Sequence, residues 1–133
     1  MMEMSEPSVK MSPTHFALLQ SIDTNEFVQG YIDAALKSSA FSSAMSAADL
    51  SEDTLTLMVI DCQNFQRNMG HLMSRPEMCD ALQCGEDFWL SRHGLPGGFL
   101  SHGYDRDVTE ALILAAKSYG RMRLYLKDGV IYQ

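Results

Sequence analysis

Lys127-Asp128-Gly129-Val130 is the stretch that leaves this chain least freedom. A two-residue connection between antiparallel strands needs positive φ at both central positions, and Asp-Gly is one of the pairs that tolerates this. With Lys127 opposite Val130, Leu126 falls opposite Ile131 and Tyr125 opposite Tyr132. Alternation then puts Met122, Leu124, Leu126 and Ile131 on one face, and Arg123, Tyr125, Lys127, Val130 and Tyr132 on the other. A slip of one residue would turn the apolar set outward, so the side-chain pattern itself selects this register.

The helices upstream are announced by their caps. Ser51 precedes Glu52 and Asp53, whose carboxylates suit the positive first turn of a helix, and Leu50 is placed to staple onto Leu55. The stripe Leu55, Met58/Val59, Cys62, Phe65, Met69 and Leu72 has helical period and ends near Ser74, before Pro76. An earlier helix is expected from Asp23, with Asp23 and Glu26 as a capping box and Ile22 stapled to Phe27. Its face is Phe27, Tyr31 and Ala34/Ala35, fading at Ser38-Ser39. Ser12-Pro13 can open a short helical turn reaching Leu19. Residues 39–50 read as a linker of small residues.

From Asp87 the texture changes. Phe88-Trp89-Leu90-Ser91-Arg92 is rich in strand-favouring residues, His93-Gly94-Leu95-Pro96-Gly97 supplies a turn, and Gly98-Phe99-Leu100 returns, so a first hairpin is expected here. Asp107 and Glu110 form a third capping box, followed by Val108, Ala111/Leu112, Ala115 and Tyr119 as the buried face and Gly120 as the closing residue. The expected fold class is therefore α+β: two N-terminal helices, then β-hairpin, helix and β-hairpin around an antiparallel sheet. Residues 1–22 are expected to be a disordered or partly helical segment, and residues 23–133 a single domain.

Charge and cysteine content narrow the function classes. The chain has 133 residues, 10 Lys+Arg against 17 Asp+Glu, and a net charge of −7. The whole excess lies in residues 1–66, which hold two basic and nine acidic residues, while residues 67–133 hold eight of each. Such a balance argues against electrostatically driven nucleic-acid binding by the molecule as a whole. Ala111 to Ala116 is the longest apolar run, far too short to cross a bilayer. Cys62, Cys79 and Cys84 are an odd, small set with no signal-peptide pattern, which points to free thiols in the cytoplasm. A zinc site from Cys62, His71, Cys79 and Cys84 lacks the usual pairwise spacing, and Cys62 belongs to an apolar stripe. No metal and no cofactor are expected.

Three blocks carry a resemblance to a known family: Gly85-Glu86-Asp87-Phe88-Trp89-Leu90-Ser91-Arg92-His93-Gly94 with Gly98-Phe99; Ala116-Lys117-Ser118-Tyr119-Gly120; and Leu124-Tyr125 with Asp128-Gly129-Val130-Ile131-Tyr132. Together they resemble a widespread family of small tailed-phage proteins. That family reads Gly-His-Asp-Phe-Trp-Leu-Thr-Arg-Asn-Gly-His-Gly-Ala-Gly-Phe-Trp-Asp, then Ala-Lys-x-Phe/Tyr-Gly, then Leu-Tyr-x-x-Asp-Asp-Gly-x-Ile-Tyr. Leu95-Pro96 and Leu100-Ser101 depart from its His-Gly and Trp-Asp. The resemblance covers most of residues 25–133 and implies a phage or prophage origin, with no reaction attached.

The chemistry-bearing residues admit sharp and plain readings. Gly94–Gly98 lacks the spacing of a phosphate-binding loop, and turn geometry accounts for its glycines. Asp105-Arg106-Asp107 is either a carboxylate pair for a metal or a turn with a helix cap. His93 and His102 are either an acid/base pair, as in a small metal-dependent hydrolase or nuclease, or plain loop histidines. Trp89, Arg92, His93, Arg123, Tyr125, Lys127 and Tyr132 are the candidate partner-binding set, since aromatic and Arg side chains are favoured at binding hot spots. The competing reading buries the aromatics in the core. Glu26, Asp33, Asp49, Glu52, Asp53 and Asp61 offer an acidic surface for a basic partner. The leading expectation is a non-enzymatic phage protein in the host cytoplasm that binds and modulates a bacterial host or defence protein. A homodimer pairing through its last hairpin is the structural alternative.

Overall fold

Ser12 caps the first helix of the described residues: its side chain accepts from the His15 N–H, and Pro13 occupies the first turn of α1, Pro13–Ile22. The computed structural model describes residues 11–133; the first ten residues of the segment 1–22 expected to be disordered or partly helical lie outside the described residues. After α1 come α2 (Glu26–Ser38), a 3₁₀ turn at Ala47–Asp49, and α3 (Glu52–Met73). α4 (Ala81–Arg92), a second 3₁₀ turn at Gly98–His102, α5 (Arg106–Lys117), β1 (Tyr125–Lys127) and β2 (Val130–Tyr132) follow.

The α+β order expected above does not form. The described residues are 63% helical, with five α-helices and one two-stranded hairpin at the C-terminal end. The error lies in residues 81–100. Asp80 caps α4 by accepting from the Gln83 N–H at 2.9 Å, and the helix runs through the aromatic stretch that reads as a strand. Its buried residues are Cys84, Gly85, Asp87, Phe88, Trp89, Ser91 and Arg92, two sides of a helix enclosed by neighbours. Strand preference of aromatic residues is a statement about half-buried surfaces, and burial on two sides of a helix overrides it. The glycines at Gly94, Gly97 and Gly98, all with positive φ, connect a helix to a 3₁₀ turn rather than two strands.

Two further starts move by a few residues. α2 is capped by Asn25, whose Oδ1 accepts from the Val28 N–H at 3.1 Å, so Asp23 closes α1 instead of opening α2. α5 has Asp105 at its N-cap position, and Asp107 lies in its first turn. α3 starts and stops where its pattern places it, with Ser51 Oγ accepting from the Thr54 N–H at 3.1 Å.

The core is an aromatic stack between α2, α3 and α4. Phe65 and Phe88 lie 4.1 Å apart, Phe27 contacts both, and Phe99 from the second 3₁₀ turn closes on Phe65 at 5.9 Å. Tyr31 packs on Phe88 at 5.0 Å and edge-on against Trp89 at 5.3 Å. Offset and edge-on contacts of this kind add to the stabilisation from burial. The C-terminal hairpin pairs Tyr125 with Tyr132, Leu126 with Ile131 and Lys127 with Val130, the register the alternation selects. Asp128 and Gly129 both have positive φ, as the two-residue turn requires. Ile131 is buried; it bridges to Leu50, and its carbonyl accepts from the Ser51 N–H at 2.8 Å, which ties the hairpin to the start of α3. No helix among the described residues is long and apolar enough to cross a membrane.

Candidate functional site

The seven residues nominated for partner binding separate into two groups. Trp89, Arg92 and His93 are buried near the end of α4. Arg92 Nη1 donates to Tyr31 Oη at 2.8 Å and to Asp61 Oδ2 at 2.9 Å. Nη2 donates to the Tyr119 carbonyl at 3.1 Å, and Nε to the Gly120 carbonyl at 2.5 Å. The guanidinium also sits 5.6 Å from the Tyr119 ring centroid. A single planar fork thus joins α2, α3, α4 and the chain leaving α5, which a lysine ammonium cannot do. Burial pushes the Tyr31 phenol upward, the Arg92 charge working against it, so Tyr31 stays a neutral hydroxyl.

Trp89 Nε1 donates to Ser38 Oγ at 2.7 Å, and its indole lies 3.8 Å from the His93 ring. His93 Nδ1 faces the Trp89 carbonyl at 2.9 Å, while Nε2 accepts from the Met122 N–H at 3.0 Å. A carbonyl only accepts and an N–H only donates, so these bonds select the neutral tautomer with its proton on Nδ1. Burial is the largest cause of a lowered His93 pKa. Both ring nitrogens are engaged, and the structure does not bring His93 and His102 together as an acid/base pair.

The second group stays at the surface. Arg123, Tyr125 and Lys127 are exposed and Tyr132 is half-buried. The rings of Tyr125 and Tyr132 stack across the hairpin at 5.6 Å with a 25° interplanar angle. Beside Tyr132 a cavity of about 330 Å³ is lined by Ser51, Glu52, Asp53, Thr54 and Gln133. The basic and aromatic strand face therefore has an acidic rim at the start of α3. Of the other acidic candidates, Asp61 is taken up by Arg92, Asp49 by the Ser46 N–H and Asp33 by Lys37.

A third cluster escaped the sequence reading. Cys79 precedes α4, Cys84 and Asp87 lie on it one turn apart, and His102 ends the second 3₁₀ turn. His102 Nε2 is 2.6 Å from Asp87 Oδ2, and the Cys79 thiol donates to that same oxygen at 3.8 Å. One ligand atom from each of Cys79, Asp87 and His102 lies within 4.8 Å of the others. Cys84 Sγ stands 3.3 Å from Cys79 Sγ, and all three cysteines are free thiols. Gln83 Nε2 donates to Asp87 Oδ1 at 3.0 Å, and Tyr104 Oη accepts from the Cys79 N–H at 3.1 Å. Asp87 is fully buried, and burial is the main cause raising its pKa. The legible signal was Asp80-x-x-Gln83, a helix start that puts Cys84 and Asp87 on one face. By contrast the earlier grouping of Cys62, His71, Cys79 and Cys84 does not assemble: Cys62 is in the core and His71 is exposed on α3.

Comparison with protein-family models, with curated proteins and with solved structures finds no match to this chain.

Proposed function

We propose that this chain is a phage-encoded, non-enzymatic protein that acts in the bacterial cytoplasm by binding and modulating a host or defence protein. The contact surface is the outer face of the C-terminal hairpin, Arg123, Tyr125, Lys127 and Tyr132. The supporting observation is the stacked Tyr125–Tyr132 pair: two large side chains held in place by a short, pinned hairpin, with Tyr125 52% exposed. Tyrosines fixed before binding lose little conformational entropy on contact, which is the property of a hot spot. The acidic rim of Glu52 and Asp53 beside Tyr132 suits a protein surface of mixed charge better than a nucleic-acid backbone, which it would repel. The block resemblance to tailed-phage proteins supplies the biological setting. Of the buried members of the nominated set, Arg92 and His93 serve this reading by holding α4 against the chain that leads into β1, and Trp89 ties α4 to the end of α2.

Affinity purification from bacterial cells, with the wild-type chain and a Tyr125→Ala/Tyr132→Ala variant side by side, tests the proposal. A stoichiometric partner lost with the variant and kept by Leu100→Ser, at another exposed position, is the expected result. A wild-type chain that retains nothing at low salt, or a partner indifferent to both tyrosines, contradicts it.

A further inference from the structure

We propose that Cys79, Asp87 and His102 form a zinc site that clamps α4 to the 3₁₀ turn at Gly98–His102, with Cys84 beside it. Zinc bound by thiolate, imidazole and carboxylate has metal–ligand distances of about 2.0–2.3 Å, so tetrahedral ligand atoms stand about 3.3–3.8 Å apart. The three ligand atoms lie within 4.8 Å of one another: Cys79 Sγ to Asp87 Oδ2 is 3.8 Å, inside that spacing, and Asp87 Oδ2 to His102 Nε2 is 2.6 Å, a hydrogen bond in the metal-free chain. Binding the ion exchanges the His102–Asp87 hydrogen bond for two metal–ligand bonds.

The surroundings are those of a metal centre. Asp87 is a fully buried carboxylate whose partners among the described residues are Gln83, Cys79 and the His102 imidazole at 2.6 Å, and an ion held by both would take the place of that imidazole–carboxylate contact. Gln83 holds the oxygen of Asp87 that faces away from the cluster, and Tyr104 holds the backbone of Cys79 and stacks on His102 at 5.1 Å. Partners behind the ligands orient them, as metal centres require. His102 keeps 24% of its side chain open to solvent, which leaves an entry path.

The binding step balances simply. Zn²⁺ enters, Cys79 releases its thiol proton to solvent, and the Asp87 carboxylate and the neutral form of the His102 imidazole donate lone pairs without proton loss. One proton leaves per ion bound, so affinity rises with pH. Three protein ligands leave the fourth position to a water molecule, and the role of the site is to fix the 98–104 segment on α4.

The test uses the full chain, reduced and freed of metal, titrated with Zn²⁺ against a chromophoric chelator and separately with Co²⁺. One equivalent of zinc, thiolate-to-cobalt absorption of a tetrahedral centre and a zinc-dependent rise in melting temperature are expected. His102→Ala, with its metal-free fold checked by circular dichroism, should weaken zinc binding at least about tenfold. His71→Ala, the histidine outside the cluster, should leave it unchanged. Reduced wild-type chain that gives no thiolate–cobalt absorption and does not compete for zinc overturns the site. So does binding that falls with His71→Ala and survives His102→Ala.

Discussion

Gly30 of α2 and Gly85 of α4 give way to each other's helices: a Cβ on Gly30 would overlap the Leu82 carbonyl, and one on Gly85 would overlap the Phe27 carbonyl. Backbone meets backbone at both points, so neither neighbour can swing aside. Overpacking typically costs about 1–3 kcal/mol, and a clash with rigid backbone belongs at the upper end. Gly30→Ala and Gly85→Ala are each expected to destabilise the fold by about 3 kcal/mol in denaturant unfolding. Gly70, inside α3 with open space where its Cβ would stand, should behave oppositely. Gly70→Ala is expected to stabilise by about 0.5–1 kcal/mol. Equal effects at the three glycines would refute the close-approach account.

Arg92 is a structural keystone by the same measure. Truncating one member of a buried, hydrogen-bonded ion pair costs about 3–5 kcal/mol, because the partner is left without compensation. Arg92→Ala should fall in that range, since Asp61, Tyr31 and two carbonyls lose their donor together. Arg92→Lys keeps the charge and loses the fork, so it should recover less than half of the loss. A lysine variant as stable as the wild type would show that charge alone matters here.

His93 makes stability depend on pH. Its folded pKa lies below the ordinary 6.5, chiefly through burial, so the unfolded chain takes up the proton more readily. Its contribution is therefore fully present above pH 6.5 and is lost as the pH falls through the window beneath that value. Protonating Nε2 also sets two donors against each other, because the Met122 N–H points at it. Asp87 acts with the opposite sign in a window above its ordinary 3.8, where a raised pKa removes stability as the pH rises. Comparing wild type with His93→Gln across both windows isolates the histidine. The variant should be less stable at neutral pH by about 1–3 kcal/mol and have a shallower slope below pH 6.5. An unchanged slope would sink this assignment.

The C-terminal turn and the tyrosines it carries should respond differently to substitution. Gly129 has φ of 79°, where a Cβ costs about 1–2 kcal/mol, so Gly129→Ala is expected to lower stability by that amount. The Tyr125–Tyr132 pair contributes only about 0.2–1 kcal/mol as a cross-strand contact. Tyr125→Ala/Tyr132→Ala should thus leave the melting curve nearly intact while partner capture is lost. A collapse of the fold in the double variant would make the pair core rather than interface.

Legibility along the chain followed how local each cause is. The Asp128-Gly129 turn, the Ser51 cap with its stripe to Leu72, and the Ser12-Pro13 start all depend on residues within a few positions, and each forms as its pattern implies. The expected strand over Phe88–Arg92 failed because aromatic richness was weighed without the Asp80 cap eight residues earlier. Once α4 is a helix, Cys84 and Asp87 share a face, and the cluster with Cys79 and His102 becomes visible. Of the seven nominated binding residues, the four at the hairpin stay exposed or half-buried at the surface, and the other three were drawn inward by partners 27 to 61 residues away.

Periodicity, caps and turn chemistry were enough to determine where α1 and α3 begin and how the last two strands pair, since a backbone hydrogen bond to a side chain three residues away is settled locally. Which residues meet was decided in three dimensions. Gly30 against Leu82, Arg92 against Tyr31 and Asp61, and His102 against Asp87 are contacts whose free energy exists only after the helices have packed. An apolar or aromatic residue carries the same local preference whether it ends half-covered on a strand or enclosed on a helix. The neighbours that enclose it come from distant sequence, and they chose the helix.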